Sequence, residues 1–181
     1  MRVGDYFIQL WRMQVAARWI PQGSRVLDIG CHQGEFLKML GQKIEPSVGL
    51  DPLYQQNAAP KGHQFFSQEF EEGLPFEESS FDVIVLLATI EHMQQKPAIA
   101  REARRLLRPG GQVVITVPSV FVDDILSVLL ILRIVDGMSL EEHHGFLPDD
   151  LLNIFLPEGF RLKWRQKFQF GLNNLYVFER L

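Results

Sequence analysis

The stretch Val26-Leu27-Asp28-Ile29-Gly30-Cys31-His32-Gln33-Gly34 decides the reading of this chain. A strand over residues 25–29 runs into Gly-x-x-x-Gly, and the helical pattern of Glu35, Phe36, Leu37 and Leu40 follows at once. Gly30 and Gly34 have no side chains, so the backbone there can approach a ligand closely. The free N–H groups at the following helix start favour polar or negative ligand groups. A tight structural turn explains two glycines equally well, so the turn alone names no ligand.

Asp51 adds the second element. A short strand at 47–50 delivers it about twenty positions beyond the turn, and Pro52 discourages further sheet pairing. A carboxylate at that place can accept hydrogen bonds from both ribose hydroxyls of an adenosine-containing cofactor, although a helix cap or a solvated turn residue would also be an aspartate. Gly-x-Gly-x-x-Gly is absent from the turn, which argues against a nicotinamide cofactor, and no Gly-Lys-Ser/Thr marks a triphosphate site.

Outward from this unit, short β-branched runs alternate with helical patterns, the rhythm of βαβ units in a mostly parallel sheet. Strands are expected at 63–66, 81–87, 112–117, 160–166 and 175–179, and helices at 96–108, 123–135 and 148–156. The run Asp82-Val83-Ile84-Val85-Leu86 is apolar after its first residue, as a strand buried on both faces requires. Pro109-Gly110-Gly111 is expected to turn the chain sharply into the next strand. Near the start, Phe7, Trp11, Val15 and Trp19 recur every four residues, so 5–20 reads as an amphipathic helix ended by Pro21-Gln22-Gly23. Its aromatic residues read as core packing or as part of a lid.

The 181 residues suit one domain, and no linker divides them. A net charge of −4 supplies no general cationic field, so a nucleic-acid partner is not expected. Cys31 is the single cysteine, which excludes an intrachain disulfide and points to the cytoplasm. No transmembrane segment is expected, because the apolar run at 125–135 is far short of the ~20 residues a spanning helix needs.

The motif at 26–34 resembles the first motif of class I S-adenosylmethionine (SAM) dependent methyltransferases. Four further blocks stand in that family's order: Gly49-Leu50-Asp51; Leu74-Pro75-Phe76 with Ser80-Phe81-Asp82; Ala88-Thr89-Ile90-Glu91-His92; and Leu107-Arg108-Pro109-Gly110-Gly111. The resemblance implies an α/β, three-layer Rossmann-like sandwich whose seven-stranded, mostly parallel sheet has an antiparallel last strand. It also implies SAM as cofactor and S-adenosylhomocysteine as product. Asp28 would close the pocket floor and orient the methionine moiety. Gly30, Cys31, His32 and Gly34 would form the turn around the cofactor, Asp51 would hold the ribose, and Leu53 would pack on the adenine. Glu69 is chosen for the adenine amine over Phe70 because only a polar group complements it; a solvated acid in the run Glu69, Glu71, Glu72 is the plain alternative. Ala88 and Thr89 would border the sulfonium. His32 departs from the family, standing where a middle glycine is usual and where a positive φ is expected.

His92 and His144 are the candidates for work on the acceptor. Imidazole takes a proton near neutral pH, yet alignment alone suffices for an acceptor that is already nucleophilic, and a structural role for His92 competes. His143-His144-Gly145-Phe146 lacks the i, i+4 spacing and the accompanying ligands of a metal site, so no metal is expected. The helix at 123–135 is apolar around most of its circumference, which fits a buried helix, a homodimer surface or a wall for a greasy acceptor. The expected activity is methyl transfer to a small-molecule, glycan or lipid-linked acceptor. The competing readings are a non-catalytic SAM-binding scaffold and an NAD-dependent dehydrogenase.

Overall fold

The computed structural model describes residues 3–55, 62–119 and 146–181. The helix expected at 123–135 and the pair His143-His144 lie outside the described residues.

Seven strands form one sheet: β1 (Val26–Ile29), β2 (Val48–Leu50), β3 (Gln64–Phe66), β4 (Phe81–Leu87), β5 (Leu107–Pro118), β6 (Phe160–Phe168) and β7 (Asn173–Arg180). Their spatial order is β3-β2-β1-β4-β5-β7-β6. β1 to β5 pair in parallel, whereas the last strand, β7, is antiparallel to both its neighbours. This is the expected sheet.

Alternation along the central strand builds three layers. Val83 and Val85 of β4 join a core under helices α1 (Val3–Ala17) and α2 (Glu35–Leu40). Ile84 and Leu86 face the opposite core, filled by Ile99, Ala103 and Leu106 of α3 (Lys96–Leu106) and by Leu151 and Phe155 of α4 (Asp150–Phe155). With helices on both faces, β4 has no polar side to spare.

Three local expectations change. α1 ends at Ala17, and its aromatic repeat does not form the core: Val15 is buried, but Phe7 is 63% and Trp11 42% exposed. A strict four-residue repeat drifts about 40° around a helix of 3.6 residues per turn at every step, which carries Phe7 and Trp11 away from the buried side of Val15. Trp11 instead meets Phe170 edge-on, with ring centres 5.8 Å apart, and Trp19 lies 5.7 Å from Trp164. α3 stops at Leu106 because Leu107 already pairs with Phe81 in the sheet. Finally, Pro109-Gly110-Gly111 lies within β5, where the pairing jumps from Phe81–Leu107 to Val83–Gln112 and the extra residues are accommodated as an irregularity.

Candidate functional site

β2, β1 and β4 are neighbours, so parallel pairing brings their carboxyl ends to one edge of the sheet. Asp28, the 30–34 turn, Asp51 and Ala88-Thr89 therefore come together there. Such an edge, beside strands whose connections lead away to opposite faces, is where open α/β sheets hold ligands.

The turn is tied to the sheet by the Gly30 and Cys31 N–H groups, which donate to the Leu50 carbonyl at 2.8 and 3.2 Å. Gly34 N–H closes the turn onto Cys31 O at 2.8 Å. The glycine requirement proves to be internal. Gly30 has φ +78°, and a Cβ on it would stand 2.3 Å from Thr89 Oγ1. Gly34 has φ +77°, and its Cβ would meet the Phe65 ring at 2.6 Å. That ring stacks on Tyr54 with centres 4.8 Å apart.

His32 adopts the positive φ expected of its position, +49°. Its backbone N–H donates to Asp51 Oδ2 at 2.7 Å, and its Nδ1 lies 2.8 Å from Glu35 Oε1. These contacts offset the strain of a non-glycine residue in the left-handed region. Asp51 Oδ1 accepts from Leu53 N–H at 2.8 Å. Both Asp51 oxygens are thus oriented by backbone, and each keeps acceptor capacity for one more donor. Gln33, which sequence reasoning passed over, bridges the same elements: its Nε2 donates to Leu53 O at 2.9 Å and its Oε1 accepts from Gln55 N–H at 3.2 Å.

Asp28 is 2% exposed, and among the described residues its Oδ2 has no hydrogen-bond partner. Burial pushes its pKa up to about 8, and the nearby carboxylates Glu35 and Asp51 push the same way. Burial and the same acids also raise the Cys31 thiol. Glu35 and Asp51 give this turn a negative potential, where a cationic ligand gains most.

On the β4 side, Ala88 is held at φ +55° while its N–H donates to the Thr116 carbonyl at 2.9 Å. A 3-10 turn, Ile90–His92, follows. His92 is exposed, and its N–H donates to Thr89 O at 3.1 Å. The neighbour that the sequence did not single out, Glu91, is the buried one: 7% exposed, with Oε2 unpartnered. Burial raises its pKa to about 7, opposed by a backbone hydrogen bond and by the charges of Arg12 and Lys96. No periodic signal marks Glu91, because a single 3-10 turn decides which of two adjacent side chains points inward.

The remaining expected residues stand apart. Leu53 is 69% exposed beside the turn, and Glu69 is exposed beyond β3. Among the described residues no hydrogen bond or ion pair ties Glu69 to the turn. Phe70, the alternative, packs against the α3-side core. A separate cavity at the opposite, amino-terminal edge is lined by Arg25, Ser47, Gln64 and Asp82, far from this constellation.

The model of the methyltransferase domain family matches residues 4–173. A ubiquinone biosynthesis O-methyltransferase of Pseudomonas aeruginosa is 30% identical over 111 residues, covering 52% of this chain and 47% of the relative. A ubiquinone/menaquinone biosynthesis C-methyltransferase of Azotobacter vinelandii is 30% identical over 122 residues, covering 59% of this chain and 47% of the relative. The chain thus spans about half the length of the curated relatives it matches. Among solved structures, an S-adenosylmethionine dependent methyltransferase from Mesorhizobium loti superimposes with a TM-score of 0.69 at 17% identity, covering 93% of this chain and 98% of that one. With sheet order, carboxyl-edge turn and family match in agreement, the chain belongs to the methyltransferase domain family, with the fold of the SAM-dependent enzymes.

Proposed function

We propose that this chain binds SAM in the turn between β1 and α2 and directs its methyl group to a small-molecule, glycan or lipid-linked acceptor at the end of β4. The observation that carries the reading is the buried, unpartnered Asp28 oxygen set among two further carboxyl groups. A buried acid with an open acceptor atom is destabilised until a donor or a cation meets it. SAM brings both a sulfonium and an ammonium group, and supplies an electrophilic methyl that needs only alignment with a nucleophile.

In this reading Asp28 receives the ammonium end and Asp51, already oriented by His32 and Leu53, receives the ribose hydroxyls. The Gly30 and Gly34 backbone passes beneath them, and Ala88 and Thr89 border the sulfonium. Leu53 is an exposed apolar side chain adjacent to Asp51, placed to cover the adenine. Positioning of two reactants in a dry, fixed geometry supplies the larger part of such a rate enhancement. Of the curated relatives, one is an O-methyltransferase and one a C-methyltransferase of quinone biosynthesis. An acceptor with an acidic O–H or C–H fits both.

Calorimetry with SAM and with S-adenosylhomocysteine tests the reading. Saturable binding that Asp51→Ala weakens by about tenfold to a hundredfold is expected, the loss of one or two hydrogen bonds to a charged group. Absence of binding heat and of any thermal shift would reject it. Among the described residues no helix is long and apolar enough to cross a membrane.

A further inference from the structure

Gln33 stands between His32 and Gly34 in the turn, and its side-chain amide reaches across to the segment that follows β2. Its Nε2 donates to Leu53 O at 2.9 Å, and its Oε1 accepts from Gln55 N–H at 3.2 Å. The carbonyl before Tyr54 and the N–H after it are the pair that a neighbouring parallel strand would take, and a glutamine amide supplies the matching donor and acceptor. The turn end of this clasp is fixed in its own right, because Gln33 N–H donates to Glu35 Oε2 at 3.0 Å. The other anchors of the segment lead toward β3: Tyr54 stacks on Phe65, and Ser67 Oγ donates to Pro52 O at 3.1 Å. Among the described residues no other hydrogen bond joins the turn to residues 53–55. Leu53 is 69% exposed, so packing does not hold its side chain and its place depends on the backbone.

Resting on the SAM reading proposed above, we infer that Gln33 is a positioning residue for the adenosine half of the cofactor, acting through Leu53. Both of its contacts are with backbone, so the clasp sets where the segment runs and leaves the Leu53 side chain to cover the adenine. The segment is thereby ordered before the ligand arrives, which is the gain of preorganisation. Asp51 is less dependent on the clasp. Leu53 N–H donates to its Oδ1 at 2.8 Å, but its Oδ2 accepts from His32 N–H at 2.7 Å without any help from the Gln33 side chain. Loss of the clasp therefore leaves the ribose carboxylate one fastening to the turn, and the damage falls on Leu53. The ammonium end of the cofactor, assigned above to Asp28, lies outside the reach of this contact.

The test is a double-mutant cycle on the full chain, read by calorimetric titration with S-adenosylhomocysteine. Gln33→Ala is expected to raise Kd by ~10-fold, the effect of two lost hydrogen bonds on an exposed segment. In a Leu53→Ala background the same substitution should cost less than ~3-fold, because two residues that act through one contact are not additive. Gln33→Glu keeps the size and the acceptor for Gln55 N–H but sets a carboxylate oxygen against the Leu53 carbonyl, so it should bind no better than Gln33→Ala. The urea midpoint of ligand-free Gln33→Ala should stay at the parent value. Equal losses in the two backgrounds would make Gln33 merely structural and overturn the inference, as would parent affinity in Gln33→Ala or in Gln33→Glu. A parent chain that does not bind S-adenosylhomocysteine would instead reject the underlying SAM reading, and the role of Gln33 with it.

Discussion

Asp28 and Glu91 are both buried carboxyl groups with one unpartnered oxygen, yet their surroundings have opposite sign. Asp28, at the end of β1, has Glu35 and Asp51 for electrostatic neighbours and, among the described residues, no compensating cation. Glu91, past the end of β4, has Arg12 and Lys96. The first place is one that the proposed SAM ammonium group would complete. The second already contains its countercharges. One sheet edge therefore carries two buried carboxyl groups in electrostatic surroundings of opposite sign.

The severest disruption of this contrast is to move the two regions apart. Gly30→Ala places a Cβ within 2.3 Å of Thr89 Oγ1 at a backbone φ of +78°. Overpacking of about 1–3 kcal/mol and a left-handed penalty of about 1–2 kcal/mol are expected together, measurable as a lower urea midpoint with SAM binding abolished. A Thr89→Ser background, which removes the methyl at 2.4 Å, should recover part of the loss. No recovery would show that strain in the turn alone is responsible.

Next in size is the charge at Asp28. Asp28→Asn should weaken SAM by about tenfold to a hundredfold, as expected for a lost charged hydrogen bond, while leaving the fold intact. If SAM binds the ionised form, affinity in the parent chain rises with pH by up to about tenfold per unit and levels off above about 8, the pKa of the buried acid. A flat affinity profile between pH 6 and 9 would remove Asp28 from contact with the cation.

The same acids set a smaller effect on stability without ligand. The folded pKa of Asp28 lies above its ordinary value of 3.8, so the folded state holds a proton that the unfolded state releases between pH 4 and about 8. Stability therefore falls as pH rises through that window, and Glu91 adds a like decline from its ordinary 4.5 up to about 7. Thermal melts of the ligand-free chain should show Tm dropping from pH 5 to 8, less so in Asp28→Asn and in Glu91→Gln. Saturating SAM should reverse the part due to Asp28 and leave that due to Glu91.

The smallest change expected is His32→Gly. It relieves a non-glycine φ of +49° and forfeits an exposed contact with Glu35. Glycine also loses more entropy on folding, by roughly 0.5–1 kcal/mol, so the net shift in stability should stay within about 1 kcal/mol. The His32–Asp51 hydrogen bond uses backbone N–H and survives. SAM affinity should consequently change little; a loss beyond about tenfold would give the imidazole a direct role.

The turn after β1 and the strands around it were legible because their signals are local. A strand, two glycines, an acid at the end of the next strand and the block order were all readable, and the strands fell within a few residues of their places. The surroundings of the β4 carboxyl end were not. The histidine of Glu91-His92 attracted attention as a base, but the 3-10 turn buries its neighbour and leaves His92 exposed. The aromatic repeat of α1 suggested a core face, whereas Phe7 and Trp11 lie outward and the helix contributes Arg12 inward.

By itself, then, the amino-acid order determined the alternation of strands and helices, the parallel sheet and the turn at 30–34, because backbone preference and hydrophobic period act over a few neighbouring residues. Only the tertiary structure decided why Gly30 and Gly34 must be glycine, since Thr89 and Phe65 reach them from distant strands. It also decided the burial and neighbouring acids that raise the Asp28 pKa, and the electrostatic coupling of Arg12 with Glu91. Burial and Coulomb interaction depend on distances through space, and those exist only after the chain has closed its sheet.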